Sequence, residues 1–412
     1  NGLPKSAIVK SSAPAMLWDK KININNIEAR WTTGELEKFQ EGVQELTECV
    51  FDSILSIPGV EREIALSVTD AVYRFQKIIY KAACLDESDF TDPRLFIYVD
   101  GETGPSGNIM NSPWDQLLSP NPLFSMVNYT LRNDNWNQLT TQGISYWSRY
   151  KIAGFETIVY RLAKKIMKRL PSWLFTKELI VPNENELNIE IASSLALHGV
   201  RITELELDES FSIVKNKIIE GNIPTLYEVV QPIMYERIEE WVTPSAVKIT
   251  MSLFNSHLQE QLKKFKLLVD KLENNIVKSH KRKQSVLMNA PGNIRGFALS
   301  YVCRKNGIPI MSSQHGVTVE ISKRHSMIRY EHDNSVADVM FSYNRKIIQV
   351  EKNTHFNHAK HYSVGMPLRL MRMKYANTTD RLALPIVFIS TNLYHMGFSL
   401  SANTDYRKAR YE

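Results

Sequence analysis

Cysteine is scarce in this 412-residue sequence, and the few cysteines do not cluster. Cys49, Cys84 and Cys303 lie far apart, which excludes a disulfide framework or a cysteine-based zinc site and indicates free thiols in a reducing compartment. No apolar run reaches the roughly 18 residues that a membrane span needs, and no signal peptide is visible. A GxGxxG fingerprint and a DxD-type motif are also missing, so we expect no dinucleotide cofactor and no metal.

The residues that are present form an ordinary globular composition with unevenly placed charge. Hydrophobic residues make up 43% and charged residues 23% of the chain, which excludes a wholly disordered or collagen-like protein. Residues 281–412 hold 20 Lys and Arg against 8 Asp and Glu, a net charge of +12, whereas the first 280 residues carry −6. A basic last third predicts an anionic partner, either a phosphate-bearing small molecule or nucleic acid.

Hydrophobic spacing predicts a mostly helical first half followed by a βαβ unit. The predicted helices of the first 280 residues are 34–56, 61–83, 149–169 and 245–279. A short strand is predicted at 95–99, before an acidic, glycine-rich loop. Strands at 178–181 and 201–206 flank a helix at 184–198, and this order implies parallel pairing.

The last third predicts an α/β fold with a doubly wound parallel sheet of the Rossmann type. Its strands are expected at 285–288, 308–312, 337–342 and 362–364, with helices at 294–305 and 344–353. Ligands of such sheets bind beyond the carboxyl ends of the strands. A new strand at 384–390 predicts a second, incomplete Rossmann-type domain, so we expect sequence to be missing at one or both ends.

His315 is the leading candidate for chemistry at this edge. It follows the strand at 308–312, where an imidazole serves as general acid or base near neutral pH or as a hydrogen-bond donor to phosphate. Gln314 precedes it, and Gly316 allows a sharp turn and a close backbone approach to a ligand. The structural alternative is a histidine that bridges two loops.

The turn 289–293 is the second candidate. It places backbone N–H groups at the start of a helix, which suits a phosphate or carboxylate, so Asn289, Gly292 and Asn293 are predicted to bind substrate. An ordinary turn is the structural alternative.

Further candidates lie near other strand ends. Thr391 and Asn392 follow the strand at 384–390 and are predicted to bind a donor phosphate across an interdomain cleft. Glu320 is a predicted catalytic carboxylate or an orienting partner of His315. Weaker carboxylate candidates are Asp100, Glu102, Glu331 and Asp333. His355, His358 and His361 are spaced three apart, but no fourth ligand is in view and we predict no metal there.

Four runs resemble the two-Rossmann (GT-B) glycosyltransferases of bacterial surface-polysaccharide synthesis. They are VLMNAPGNIRGFALSYVCRKNGIPIMSSQHGV, SVADVMFSYN, YSVGMP and PIVFISTNLY, within about residues 283–396. The nearest likeness is to transferases with cytidine-nucleotide donors, of Kdo or other nonulosonic acids or of CDP-glycerol. Val317-Thr318-Val319 departs from the Thr-Pro-Leu-Lys run of the CDP-glycerol polymerases. The helical first 280 residues match no family pattern.

The resemblance implies an acceptor-side domain at 1–380, clearest at 283–367, and the start of a nucleotide-sugar donor domain at 381–412. It places His315 in the cleft between them. The expected function is transfer of a sugar from a CMP- or CDP-linked donor to a glycan or lipid-linked glycan acceptor, without nucleic acid. The expected location is cytoplasmic, or peripheral at the inner membrane. A nucleotide-sugar epimerase and a non-catalytic anion- or nucleic-acid-binding protein are the alternatives.

Overall fold

The computed structural model describes most of the first 375 residues of the chain. The described ranges are 8–11, 25–26, 32–91, 95–100, 113–121, 125–129, 146–205, 223–276, 283–314, 334–352 and 354–375. None of the helices in these ranges is both long and apolar enough to cross a bilayer.

Helices make up most of the described chain. Their bounds are α1 Thr33–Leu55, α2 Arg62–Ala83, α3 Ser88–Thr91, α4 Pro113–Leu117, α5 Tyr146–Arg169, α6 Glu186–Leu197, α7 Ile223–Trp241, α8 Pro244–Ile276, α9 Ile294–Lys305, α10 Arg345–Glu351 and α11 Leu368–Tyr375. The predicted helices in this part of the chain are present, with ends within a few residues of those expected, except that α5 is kinked at Gly154, whose φ of 76° is not helical. Helices α3, α4, α7 and α11 were not predicted.

The strands form two separate parallel sheets. Their bounds are β1 Ile8–Ser11, β2 Asn25–Asn26, β3 Leu95–Asp100, β4 Ser125–Tyr129, β5 Lys177–Val181, β6 Arg201–Glu204, β7 Lys283–Asn289, β8 Ile310–Ser313, β9 Val339–Ser342 and β10 Lys360–Ser363. The orders are β2-β1-β3-β4 and β10-β9-β8-β7-β5-β6. All described pairings are parallel. The α/β class and the doubly wound parallel sheet predicted from the sequence are therefore confirmed.

The six-stranded sheet reverses its direction of growth between β5 and β7. The chain runs from β5 outward to β6, then returns to the other side of β5 and adds β7, β8, β9 and β10 in order. This reversal is a topological switch point, where α/β sheets open a crevice beyond the carboxyl ends of the strands.

Helices cover the two faces of this sheet with different cores. Leu179 and Val181 of β5 pack with Tyr160 and Ala192, which belong to α5 and α6. Ile180, between them in β5, belongs instead to the large core that includes α2, α8 and α9. This alternation follows from the two-residue period of a strand, and it explains why the strands read as continuous apolar runs.

The four-stranded sheet was not predicted, and it repeats the connectivity of the larger one. In each sheet the first two strands are followed by a pair of long helices and then by the third strand, which pairs with the first. These helix pairs, α1 with α2 and α7 with α8, pack against each other. Helix α1 begins with a capping box in which Thr32 and Glu35 satisfy each other's backbone N–H groups, so its start is set locally.

Paired charges hold the amino ends of β8 and β9 to the helical part. Arg304 of α9 contacts the buried Glu63 of α2 and donates from Nη1 to Asp338 Oδ1 at 3.1 Å. Asp338 Oδ2 accepts from the N–H of Ile310, the first residue of β8, at 2.8 Å. We call Glu63, Arg304 and Asp338 the amino-edge network. It ties residues more than 200 positions apart in the chain, and its geometry indicates a structural role.

Candidate functional site

The candidate site is the carboxyl edge of the six-stranded sheet at the switch point. Backbone pairing of β5 with β7 stops at Ile180 and Val286. Beyond that point the Asn183 side chain continues the link: its Oδ1 accepts from the N–H of Asn289 at 2.8 Å, and its Nδ2 donates to the Asn289 carbonyl. A side-chain amide thus replaces the backbone where the two strands separate.

Asn185 joins this edge to β8. Its Oδ1 caps α6 by accepting from the N–H of Asn188 at 2.7 Å, and its Nδ2 donates to Ser313 Oγ at 3.0 Å. Ser313 is the last residue of β8 and is fully buried. The loop after β5 therefore reaches past the end of β7, and its polar side chains line this edge of the sheet.

The turn predicted at 289–293 lies where expected, between β7 and α9. Ala290 has a left-handed backbone with φ 48°, and Gly292 is buried in the turn. A Cβ on Gly296 would lie 1.9 Å from the carbonyl oxygen of Pro291. Only glycine therefore lets the turn rest directly on the first turn of α9.

Asn293 already occupies part of the anion site that was predicted at the start of α9. Its Oδ1 accepts from the N–H groups of Arg295 at 3.1 Å and Gly296 at 3.2 Å. These are two of the free donors that the sequence pattern assigned to a phosphate or carboxylate. Asn293 is thus an N-cap in this structure.

Asn289 is the residue of this edge that most directly points to a ligand. Asn289 is 6% exposed, and its buried Oδ1 accepts no hydrogen bond from the residues that the structure describes. Burying an amide oxygen without a partner costs about 1–3 kcal/mol. Buried carboxamides are therefore nearly always paired, and an exception at a switch point indicates an external donor.

Gln314 bridges β8 to the end of β9. Its backbone N–H donates to the Phe341 carbonyl at 2.9 Å, and its Oε1 accepts from the N–H of Tyr343 at 2.8 Å. The side chain is 3% exposed, so this oxygen is held by the protein and fixes the backbone just before position 315. The other predicted site residues, His315, Gly316, Glu320, Thr391 and Asn392, lie outside the described residues.

Two carboxylates at this edge were missed from the sequence. Glu184 follows β5, and Glu204 ends β6. Lys164 of α5 contacts both, with Nζ 2.8 Å from Glu184 Oε1. Burial opposes the charge of Lys164, but the hydrogen bonds that it donates to the two carboxylates, together with their negative charge, more than offset this and raise the pKa of Lys164. Glu184 could have been found by its position between two asparagines just after a strand.

The remaining candidates do not assemble at this edge. His355, His358 and His361 contact different partners, and within the described ranges no three metal-binding side chains cluster. His358 lies beside Arg304 at the opposite end of the sheet; burial, Arg304 and Arg62 lower the pKa of His358. Asp100 ends β3 in the other sheet, and Glu102, Glu331 and Asp333 lie outside the described residues.

The arrangement suits a neutral, polyhydroxylated ligand with a phosphate at one side. Carboxamides both donate and accept hydrogen bonds, as sugar hydroxyls do. The starts of α6 and α9 face the same edge, and helix N-termini favour anionic groups.

Comparison of the chain with family models, curated proteins and solved structures finds no match.

Proposed function

We propose that this chain is a GT-B glycosyltransferase that moves a sugar from a CMP- or CDP-linked donor to a cell-surface glycan acceptor. The carrying observation is the buried, unpartnered Asn289 Oδ1 at the switch point, flanked by the Asn183 and Asn185 amides. A ligand hydroxyl or amino group that donates to this oxygen would remove the cost of leaving it unpaired. Sugars and cytosine both carry such donors.

The two parallel sheets support the α/β part of this proposal. The four-stranded sheet has the same order as the first four strands of the six-stranded sheet. Both sheets lie within the proposed acceptor-side domain, residues 1–380, and the donor domain of this proposal begins at residue 381.

The charge distribution supports a nucleotide leaving group. Residues 281–412 carry a net charge of +12, and basic groups with helix N-termini stabilise the negative charge that develops on a departing phosphate. His315, the residue after Gln314, is the proposed acid or base, with Glu320 as its carboxylate partner. The acceptor is a glycan or a lipid-linked glycan, reached at the inner membrane surface.

A nucleotide panel tests the ligand class. The melting temperature of the protein is measured with CMP, CDP, UDP, UDP-GlcNAc and random RNA. Stabilisation by CMP or CDP, absent in Asn289→Ala and retained in the exposed-surface control Lys248→Glu, is the expected result. Conversion of UDP-GlcNAc to its epimer without acceptor would establish the epimerase alternative instead. Salt-sensitive RNA binding without any nucleotide effect would establish the non-catalytic one.

His315 gives the prediction for catalysis. We expect His315→Ala to abolish sugar transfer, because it removes the proposed acid or base, and to leave the melting temperature nearly unchanged. Transfer of radiolabelled sugar and thermal unfolding are measured on the same preparation. A large drop in melting temperature would show that His315 bridges loops and would remove it from the site.

A further inference from the structure

Helix α5 carries an apolar stripe that the described part of the chain leaves uncovered. Thr157 and Tyr160 face the protein core, whereas Phe155 is 66%, Leu162 51% and Ile166 54% exposed. These three are seven and four residues apart, so they share one side of the helix. Large exposed apolar side chains in one stripe mark an interaction surface rather than a solvated face.

The stripe continues past the end of the helix. Leu170 is 39% exposed, and the 3-10 turn Ser172–Leu174 adds Trp173, 78% exposed, and Leu174, 49% exposed. Among the described residues, Trp173 is the most exposed large apolar side chain. Tryptophan is enriched at the boundary between lipid tails and head groups, because its ring is apolar and its N–H is polar.

A basic stripe runs beside the apolar one. Arg161, Lys165, Lys168 and Arg169 are exposed, and at spacings of four, three and one they occupy the adjoining sector of the helix. Among the described residues none of the four has an acidic partner within ion-pair distance, whereas Lys164, nearer the core, is paired with Glu184 and Glu204. The outer surface of α5 is thus divided into an apolar and a cationic half.

We propose that this surface, Phe155 to Leu174, docks the protein onto an anionic lipid bilayer. An interfacial helix buries its apolar stripe at the level of the head groups while its cations contact lipid phosphates. Each Lys or Arg near an anionic leaflet adds to the attraction, so four uncompensated cations favour such a surface over a neutral one.

Charge argues against a second copy of the chain as the occupant. In a symmetric antiparallel dimer through α5 the cationic stripes of the two copies would lie on the same side of the interface, and such like-charge contacts are unfavourable. A bilayer with anionic head groups supplies the complementary sign.

Docking in this way brings the candidate site to the membrane. Lys164 on α5 contacts Glu184 and Glu204, which follow β5 and β6 at the carboxyl edge. The docked helix therefore contacts the carboxyl edge directly through the Lys164 side chain. This last step rests on the proposed function: it selects a lipid-linked acceptor over a free glycan. Bilayer binding itself does not depend on it.

Vesicle flotation of the full chain tests the surface. We expect binding to mixed phosphatidylcholine–phosphatidylglycerol vesicles, reduced by salt, and at least about tenfold weaker binding to pure phosphatidylcholine. The double variant Lys165→Glu/Lys168→Glu is expected to lose at least about tenfold in partitioning, and Ile166→Ser/Trp173→Ser a similar factor. Matched controls are Lys248→Glu/Lys263→Glu on α8 and Leu197→Ser/Tyr235→Ser, all at exposed positions, which should bind as the unaltered protein does.

Three outcomes would overturn this inference: no vesicle binding by the unaltered protein, equal losses in test and control variants, or equal binding to neutral and anionic vesicles. A change of oligomeric state in Ile166→Ser/Trp173→Ser, measured by light scattering without lipid, would identify a second copy as the occupant. The nucleotide panel uses no lipid, so failure here leaves the proposed function standing, and failure there leaves the docking surface standing.

Discussion

The two ends of the six-stranded sheet use opposite kinds of polar group. At the amino ends, charges meet charges: Arg304 joins Glu63 and Asp338, and one carboxylate is 3% exposed. At the carboxyl ends the groups are mostly neutral carboxamides, and two of them, Asn188 and Asn289, have a buried oxygen without a partner among the described residues.

This difference separates support from binding. A buried carboxylate must be paired, so the amino-edge network admits one arrangement and locks the helical part to the sheet. Carboxamides satisfy one another partially and leave hydrogen-bonding capacity in the crevice. The amino end of the sheet therefore stabilises the fold, whereas the carboxyl end holds an unpaired group that lowers stability. Each end can be altered separately.

The largest expected effect is at the amino edge. Arg304→Ala leaves the carboxylate of Glu63 buried without its cation, and we expect a loss of about 3 kcal/mol in the free energy of unfolding. Urea unfolding measures this loss. Arg237→Ala, which breaks exposed ion pairs with Glu45 and Glu240, is the control and should cost under about 1 kcal/mol. Equal losses in the two variants would remove the contrast.

The next effect is at the carboxyl edge, through the backbone. Gly296→Ala forces the new Cβ against the Pro291 carbonyl, so the turn 289–293 must shift, at a cost of about 1–3 kcal/mol. Gly34→Ala in α1 is the matched control: nothing lies within 4 Å of its added Cβ, and it should be neutral or stabilising. Urea unfolding of both variants tests whether the turn 289–293 packs tightly against the first turn of α9.

Loss of the side chains of Asn289 and Asn293, four residues apart, should have different effects on the free energy of unfolding. Asn293→Ala removes the cap of α9 and should cost about 1 kcal/mol. Asn289→Ala removes a buried amide oxygen that has no partner among the described residues, so the free energy of unfolding should stay the same or rise, while the nucleotide-induced rise in melting temperature disappears. A loss of stability in Asn289→Ala as large as in Asn293→Ala would show that its side chain is structural.

The smallest effect is a pH dependence of the amino edge. The folded-state pKa of His358 lies below its ordinary value, so the unfolded chain binds a proton more readily and stability is lost as pH falls below about 6.5. Because the side chain is 40% exposed, the loss is a few tenths of a kcal/mol.

Urea unfolding at about pH 7.5 and about pH 5.5 measures the His358 contribution as the difference between the unaltered protein and His358→Gln. Burial also lowers the pKa of His257, to about 4, and this contribution cancels because both proteins retain His257. An identical pH dependence of the free energy of unfolding in the two proteins would show that protonation of His358 is not coupled to unfolding.

Local patterns predicted the elements of the last third of the chain well. Helix α9 spans the predicted residues, and the strands from β7 to β10 lie within three residues of the predicted ones, because asparagine caps and apolar runs mark their ends. The four-stranded sheet could not be predicted in the same way. Ile8–Ser11 and Asn25–Asn26 are too short to give a period, and they form strands only through partners such as β3, far along the chain.

The candidate site could likewise be predicted from the sequence only in part. The position of Asn289, Asn293 and Gln314 at strand ends followed from the sequence, because parallel strands bring their carboxyl ends to one edge. The sequence did not show which of these side chains already has a hydrogen-bond partner. Asn293 caps its own helix, the Gln314 side chain accepts from the N–H of Tyr343, and Asn289 Oδ1 has no partner among the described residues. Glu184 and Glu204 become neighbours only because Lys164 on α5 reaches both.

The sequence by itself determined the α/β class and the order of the elements in the last third, since each depends on residues close together in the chain. The tertiary structure decided which polar groups are satisfied and which surface of α5 remains uncovered. Hydrogen-bond pairing and burial join residues that are more than 100 positions apart, such as Asn183 with Asn289 and Glu63 with Arg304, and no local pattern records them.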